Sequence, residues 1–105
     1  MIADRSDADA SVAQDQEALK LRLQGRAFST IATQLGMDRS SEANLAFNRA
    51  LRRQPTVARD QIRADENLRL DRLAIAVRAN GSLSEAEAAK RLRAIDLLRG
   101  RLMAE

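Results

Sequence analysis

Apolar residues along this chain recur at helical spacing throughout, and nowhere alternate as a strand would. Ala43, Ala46, Phe47, Ala50 and Leu51 fall at i, i+3, i+4, i+7 and i+8, the stripe of an amphipathic helix. Upstream, Ile31 and Leu35 share one face of a shorter helix, and Ala32 sits where the two helices must approach closely. Gly36 follows the last apolar position of that helix and is its stop signal, since glycine takes a left-handed conformation at little cost. Met37 then plugs the turn, and Ser40 or Ser41 is expected to cap the N–H groups of the second helix. Residues Phe28 to Arg53 thus read as two short helices joined by a tight turn.

The rest of the chain is arranged around that pair. Residues 1–13 are acidic, small and aperiodic, and are expected to form a flexible tail or to merge into the first helix. Residues 14–25 predict a helix ended by Gly25, with Ala18 and Leu21 facing the pair. Leu19 and Leu23 lie about 100–140° from that face and need another partner. Pro55 marks a boundary, and 56–79 read as one long helix with two apolar faces, Ile62, Leu70, Leu73, Ala74 and Val77 on one and Leu68, Ile75 and Ala79 on the other. Its charged first turns (Arg59, Asp60, Arg63, Asp65, Glu66) predict a solvated stalk. Asn80-Gly81-Ser82 is a turn. A capping box follows, Ser84 with Glu87 or Ser82 with Glu85, and opens a helix over 85–103. The stripe of that helix is Ala88, Leu92, Ile95, Leu98 and Leu102, and Leu97 points the other way. Two helices joined by so short a turn pack as an antiparallel hairpin. The expected fold class is all-α. A helix-turn-helix unit over 14–54 follows the 1–13 tail, and a helical hairpin spans 55–105.

Composition narrows the chemistry. Apolar residues make up 45% but aromatics only 2%, so alanine and leucine carry a thin core, which suggests support from neighbouring subunits. Cysteine, histidine, tryptophan and tyrosine are absent, which removes thiolate metal sites, the usual general base and most nucleophiles. There is no GxxxxGK[ST] phosphate loop. The chain is therefore expected to have no enzymatic activity, no metal and no cofactor. No apolar run approaches a membrane span and the N-terminus is acidic, so residence in the compartment of synthesis, the cytoplasm, is expected.

The net charge of +3 conceals a pattern. Residues 1–17 hold five acids and one base, residues 18–63 nine bases and three acids, and residues 64–105 eight bases and seven acids. Positive charge is concentrated on and beside the two-helix motif, where DNA phosphate would be met. The outward side of the second helix centres on Ser41, Leu45, Asn48 and Arg52, with Asn44 and Arg49 at its edges and Arg39 and Ser40 at its entrance. Asparagine can pair with adenine, arginine with guanine or phosphate, and leucine can touch a thymine methyl. Lys20, Arg22 and Arg26 are candidates for phosphate contact from the first helix and its loop, or else solvate an exposed face. The acidic leader either competes with DNA for the basic face or is merely solvated.

With those parts in place the chain, over about residues 15–105, resembles the small terminase subunit of tailed bacteriophages, of the kind found in phages of actinobacteria. The resemblance rests on EALKLRLQGRAFSTIATQLGM, then SSEANLAFNRALRR, then NLRLDRLAIAVRANGS followed by KRLRAIDLLRGRLMAE. Its last element, an LDRL helix, a turn and an RAID..LR helix, narrows it most. The resemblance implies a ring-forming protein in the host bacterium that recognises the packaging start site on viral DNA. It would hand that DNA to the large subunit, which carries the ATPase and nuclease. It also makes the hairpin the oligomerisation region, with Leu68, Leu70, Leu73, Ile75, Val77, Leu92, Ile95, Leu98 and Leu102 as candidate contacts. Two features depart from the family. Ala76 and Val77 stand where bulky residues are usual, and the C-terminal tail that often meets the large subunit is almost absent. Two other readings fit the same motif: a dimeric transcription regulator, and a protein–protein adaptor.

Overall fold

The computed structural model describes the backbone from Ile2 and the side chains from Ala10 onward. Five helices follow one another, α1 (Ile2–Leu23), α2 (Phe28–Gln34), α3 (Ser40–Arg52), α4 (Thr56–Ala79) and α5 (Glu85–Met103), and no strand occurs among the described residues. They form two compact units, residues 1–54 and 55–105.

In the first unit both helix stops are built the same way. Gly25 takes φ +89°, its N–H donates to Arg22 O (2.9 Å), and the Arg26 N–H donates to Leu21 O (3.2 Å). Gly36 takes φ +71°, its N–H donates to Thr33 O (3.3 Å), and the Met37 N–H donates to Ala32 O (2.8 Å). These are Schellman motifs, in which the residue after the glycine, when apolar, often packs back on the helix it ends. That explains the placement of Met37, which packs against the core.

The core joins Ala18 and Leu21 of α1, Ile31 and Ala32 of α2, and Ala43 and Ala46 of α3, with Phe28, Leu35 and Met37 packed against it. Alanines at the crossing points let α3 lie close to both neighbours, and larger side chains would force the helices apart. Phe47, 1% exposed, supplies bulk, its ring meeting Phe28 edge-on at 5.6 Å and 63°.

One expectation is settled in this unit and another corrected. Residues from Ile2 are helical and continue into α1, so the leader merges into the first helix, one of the two forms expected for it. Alanine has the highest helix propensity, and aspartate is favoured near a helix N-terminus, so the leader's composition suits a first turn as well as a loop. Neither serine is the cap of α3. Arg39 holds that position with no side-chain cap bond, and Ser40 is the first helical residue.

In the second unit α4 and α5 pack against each other. Pro55 precedes α4 in an extended conformation (φ −56°, ψ 150°), which presets its entry. At the turn, Asn80 Oδ1 accepts from the Ser82 N–H (3.0 Å). Ser84 then caps α5, its Oγ accepting from the Glu87 N–H (3.1 Å), the first of the two capping registers considered. Leu70, Ala74, Ile95 and Leu102 are buried between the helices. The stalk expectation fails here, because Arg63 and Glu66 are buried. Arg63 Nε donates to Leu102 O (2.9 Å), Nη2 to Ala104 O (2.8 Å) and Nη1 to Glu105 Oε1 (3.0 Å). A cation thus meets the unpaired carbonyls and negative dipole end of α5. Leu73, on the same apolar face of α4 as Leu70 and Ala74, is 47% exposed while those two are buried.

Candidate nucleic-acid interface

Around the axis of α3 the buried residues Ala43, Asn44, Ala46, Phe47, Asn48, Ala50 and Leu51 cover more than half the circumference. The exposed remainder is a strip formed by Ser41, Glu42, Leu45, Arg49, Arg53 and the half-buried Arg52, with Arg39 and Ser40 at its start. Glu42 is the single acid on it, in the first helical turn, where the helix dipole favours a carboxylate. Arg26, in the loop after α1, is exposed.

Six of the eight expected DNA-contact residues, Arg26, Arg39, Ser40, Ser41, Arg49 and Arg52, are thus at least partly open to solvent. Asn44 and Asn48 are not, at 4% and 2% exposed. Asn48 Nδ2 donates to Asn44 O (3.1 Å) and to Asn44 Oδ1 (3.4 Å), and Asn48 Oδ1 is buried without a hydrogen-bond partner, so both side chains lie within the rim of the core and away from a base edge. Arg22 is likewise withdrawn. Its guanidinium lies 4.1 Å over the Phe28 ring and donates to Arg26 O (2.9 Å), fastening the loop between α1 and α2. Lys20 remains exposed. Of the two leucines left over on α1, Leu19 is buried, whereas Leu23 is 59% exposed beside an open groove lined by Gln16, Leu19, Lys20, Gln24 and Gln54.

The sequence reading missed Asp15, which is 1% exposed. Arg49 Nε donates to its Oδ2 and Arg49 Nη2 to its Oδ1, both at 3.0 Å, and Arg53 Nη1 donates to Oδ2 at 2.9 Å. A signal was available, because Asp15, Ala18 and Arg22 fall at i, i+3 and i+7, which puts an acid on the stripe that faces the basic helix. Burial pushes the Asp15 carboxyl up, but the hydrogen bonds and charges of Arg49 and Arg53 outweigh it and hold the group below its ordinary 3.8. The bond to Asp15 raises Arg49 against the opposing effect of burial. A carboxylate whose folded pKa is lowered stabilises the fold above its unfolded value, and that stability is lost as pH falls through the folded value. The melting-temperature gap between the protein and Asp15→Asn, read by circular dichroism, should therefore be widest near neutrality and shrink as pH falls below 3.8. A gap that stays constant with pH would show that folding leaves the Asp15 pKa unchanged, so that the two arginines do not hold its carboxylate.

In the second unit, Leu70, Ile95 and Leu102 belong to the hairpin's own core, while Val77, Leu92 and Leu98 are half-buried. Of the expected oligomer contacts, Leu68, Leu73 and Ile75 remain on the surface, at 51%, 47% and 63% exposed. Leu97 joins them at 56%. Arg99 bridges the two helices, donating to Asn67 Oδ1 and to Asp71 Oδ1 at 2.7 Å each. A groove between the helices is lined by Asp71, Ile75, Arg78, Leu92, Asp96 and Arg99.

No cluster of three or more potential metal ligands occurs among the described residues, and no helix there is long and apolar enough to cross a membrane. No protein-family model, curated protein or solved structure matches this chain. What stands established is a small all-helical protein of five helices.

Proposed function

We propose that this protein is a non-enzymatic DNA-binding subunit of the small-terminase type. It would use the α2–α3 pair to hold duplex DNA at a packaging site and deliver it to a large ATPase–nuclease subunit, working as a homo-oligomer. The observation that carries the reading is the division of α3 into a buried face and an exposed strip. The strip holds Ser41, Leu45 and Arg52, residue types that meet base edges and phosphate, and none of these three belongs to the buried core. Arg39, Ser40 and Arg26 flank it, in the stretch of chain where positive charge is concentrated. Arg49 joins the reader through its half-exposed guanidinium, and Asn44 and Asn48 drop out. The exposed Leu68, Leu73, Ile75 and Leu97 of the hairpin supply the apolar surface for subunit contact.

Duplex affinity should fall steeply with salt, each phosphate contact adding about 0.9 to the slope of log K against log salt. Arg39→Ala combined with Arg52→Ala should lower that slope by about 2 while leaving helicity unchanged. An unchanged slope would remove the strip from the reading. Native mass decides the assembly. A closed ring of about eight or more subunits supports packaging, whereas a dimer points to a transcription regulator reading half-sites about one helical turn apart. Absence of duplex binding at low salt would favour the adaptor.

A further inference from the structure

Arg49 of α3 and Arg53, the residue that caps its C-terminus one turn on, share one buried carboxylate. Asp15 is 2% exposed at its side chain, whereas Arg49 and Arg53 are 47% and 41% exposed. The cluster therefore carries one surplus positive charge, and nearly all of its accessible surface belongs to the two arginine side chains. Asp15 engages Arg49 through Nε and Nη2 and Arg53 through Nη1, which leaves Arg49 Nη1 and Arg53 Nε and Nη2 outside its grasp. An arginine free in solution must be ordered before it can grip an oxyanion, and these two are ordered already. The carboxylate that pairs with them among the described residues is walled off behind them.

We infer that Arg49 and Arg53 form a preorganised site for one backbone phosphate of duplex DNA beside the exposed strip of α3, and that Asp15 is its positioning residue. The inference rests on the DNA-binding reading above and adds Arg53 and Asp15 to it. The ligand is a phosphodiester because guanidinium forks match paired oxyanion oxygens. The site would fix register without reading sequence.

Charge and order make opposite demands on Asp15→Asn. The substitution adds a unit of positive charge, which across about 7 Å at the effective dielectric of a protein surface strengthens phosphate binding by about fivefold. It also frees two long side chains, each costing about two- to tenfold in affinity to reorder on binding. Order wins if the site is as inferred, so Asp15→Asn should bind duplex DNA at least about twofold more weakly despite its extra charge. Arg53→Gln, which leaves Asp15 bonded twice to Arg49, should lower the salt slope by about 0.9. Arg53→Lys keeps the charge but not the fork, and should recover the slope and only part of the affinity.

The experiment is a titration of a fluorescent mixed-sequence duplex with the full chain and these variants over a salt series, each variant first checked for helicity. Weaker binding by Asp15→Asn together with a lower slope for Arg53→Gln is the expected result. Tighter binding by Asp15→Asn, or an unchanged slope for Arg53→Gln, overturns the site. Should Asp15→Asn fail to fold, the Arg53 pair decides alone. A wild-type chain that binds no duplex at low salt sinks the DNA reading itself, an outcome separate from failure of this site.

Discussion

Phe47→Ala should largely unfold the first unit while leaving the second helical. Phe47 is 1% exposed and its ring meets Phe28 at 5.6 Å, so truncation removes the bulk of one of the two aromatic rings in the chain. Such a change typically costs about 3–5 kcal/mol in transfer and cavity terms. A unit of this size has about 3–8 kcal/mol of stability in total, at about 0.05–0.15 kcal/mol per residue. The neighbours cannot refill the space cheaply, because Ala43, Ala46 and Ala50 have no rotamers to move. Far-UV circular dichroism should show part of the helical signal melting at low temperature while the α4–α5 signal persists. A melting temperature within about 3 °C of the parent would mean that the ring is not what holds the unit together.

The second large effect belongs to the other unit. Arg63→Ala should loosen the last turn of α5 without disturbing residues 1–54. The guanidinium is buried and donates to Leu102 O and Ala104 O at 2.9 and 2.8 Å. Hydrogen bonds with a charged partner contribute about 1.5–3 kcal/mol each, so a loss of about 2–4 kcal/mol is expected once water partly replaces the donor. Its ion pair with Glu105 adds little, since that side chain is 77% exposed. Amide hydrogen exchange should accelerate first in the last turn of α5, and Arg63→Lys should recover a fraction of the protection. Uniform acceleration across both units would mean that they unfold together.

Much of the fold was legible, and the reasons are local. The bounds of α4 and α5 match the expected 56–79 and 85–103 because strong punctuation flanks them: Pro55, the Asn80-Gly81 turn and the Ser84 cap. Gly25 and Gly36 marked their stops because only glycine takes those positive φ values without strain. The start of α1 was hidden because nothing in the leader breaks a helix. Asn44 and Asn48 misled for a different reason. α3 packs on both α1 and α2, so its buried arc is wider than its apolar arc and takes in the short amides at its rim, Asn48 donating to Asn44. Arg63 misled through its residue type, since charge suggests solvent until the carbonyls at the end of another helix are seen to receive it. Asp15 was the costliest omission. It sits on a register shared with Ala18, and an acid there only makes sense once α3 is seen to bring Arg49 and Arg53 to it.

The division of α3 into a buried face and an exposed strip also bears on how the protein can change over generations. Ser41 and Leu45 are exposed and Arg52 is half-buried, with no part in the alanine-lined crossings. Surface substitutions away from such packing features usually shift stability by no more than about 0.5 kcal/mol. The crossings themselves tolerate almost no increase in size. A lineage could therefore rewrite what the strip meets, residue by residue, without crossing the threshold of unfolding, while the alanines beneath stay as they are. Comparison of natural variants would then find diversity on the strip and near-uniformity one helical face away.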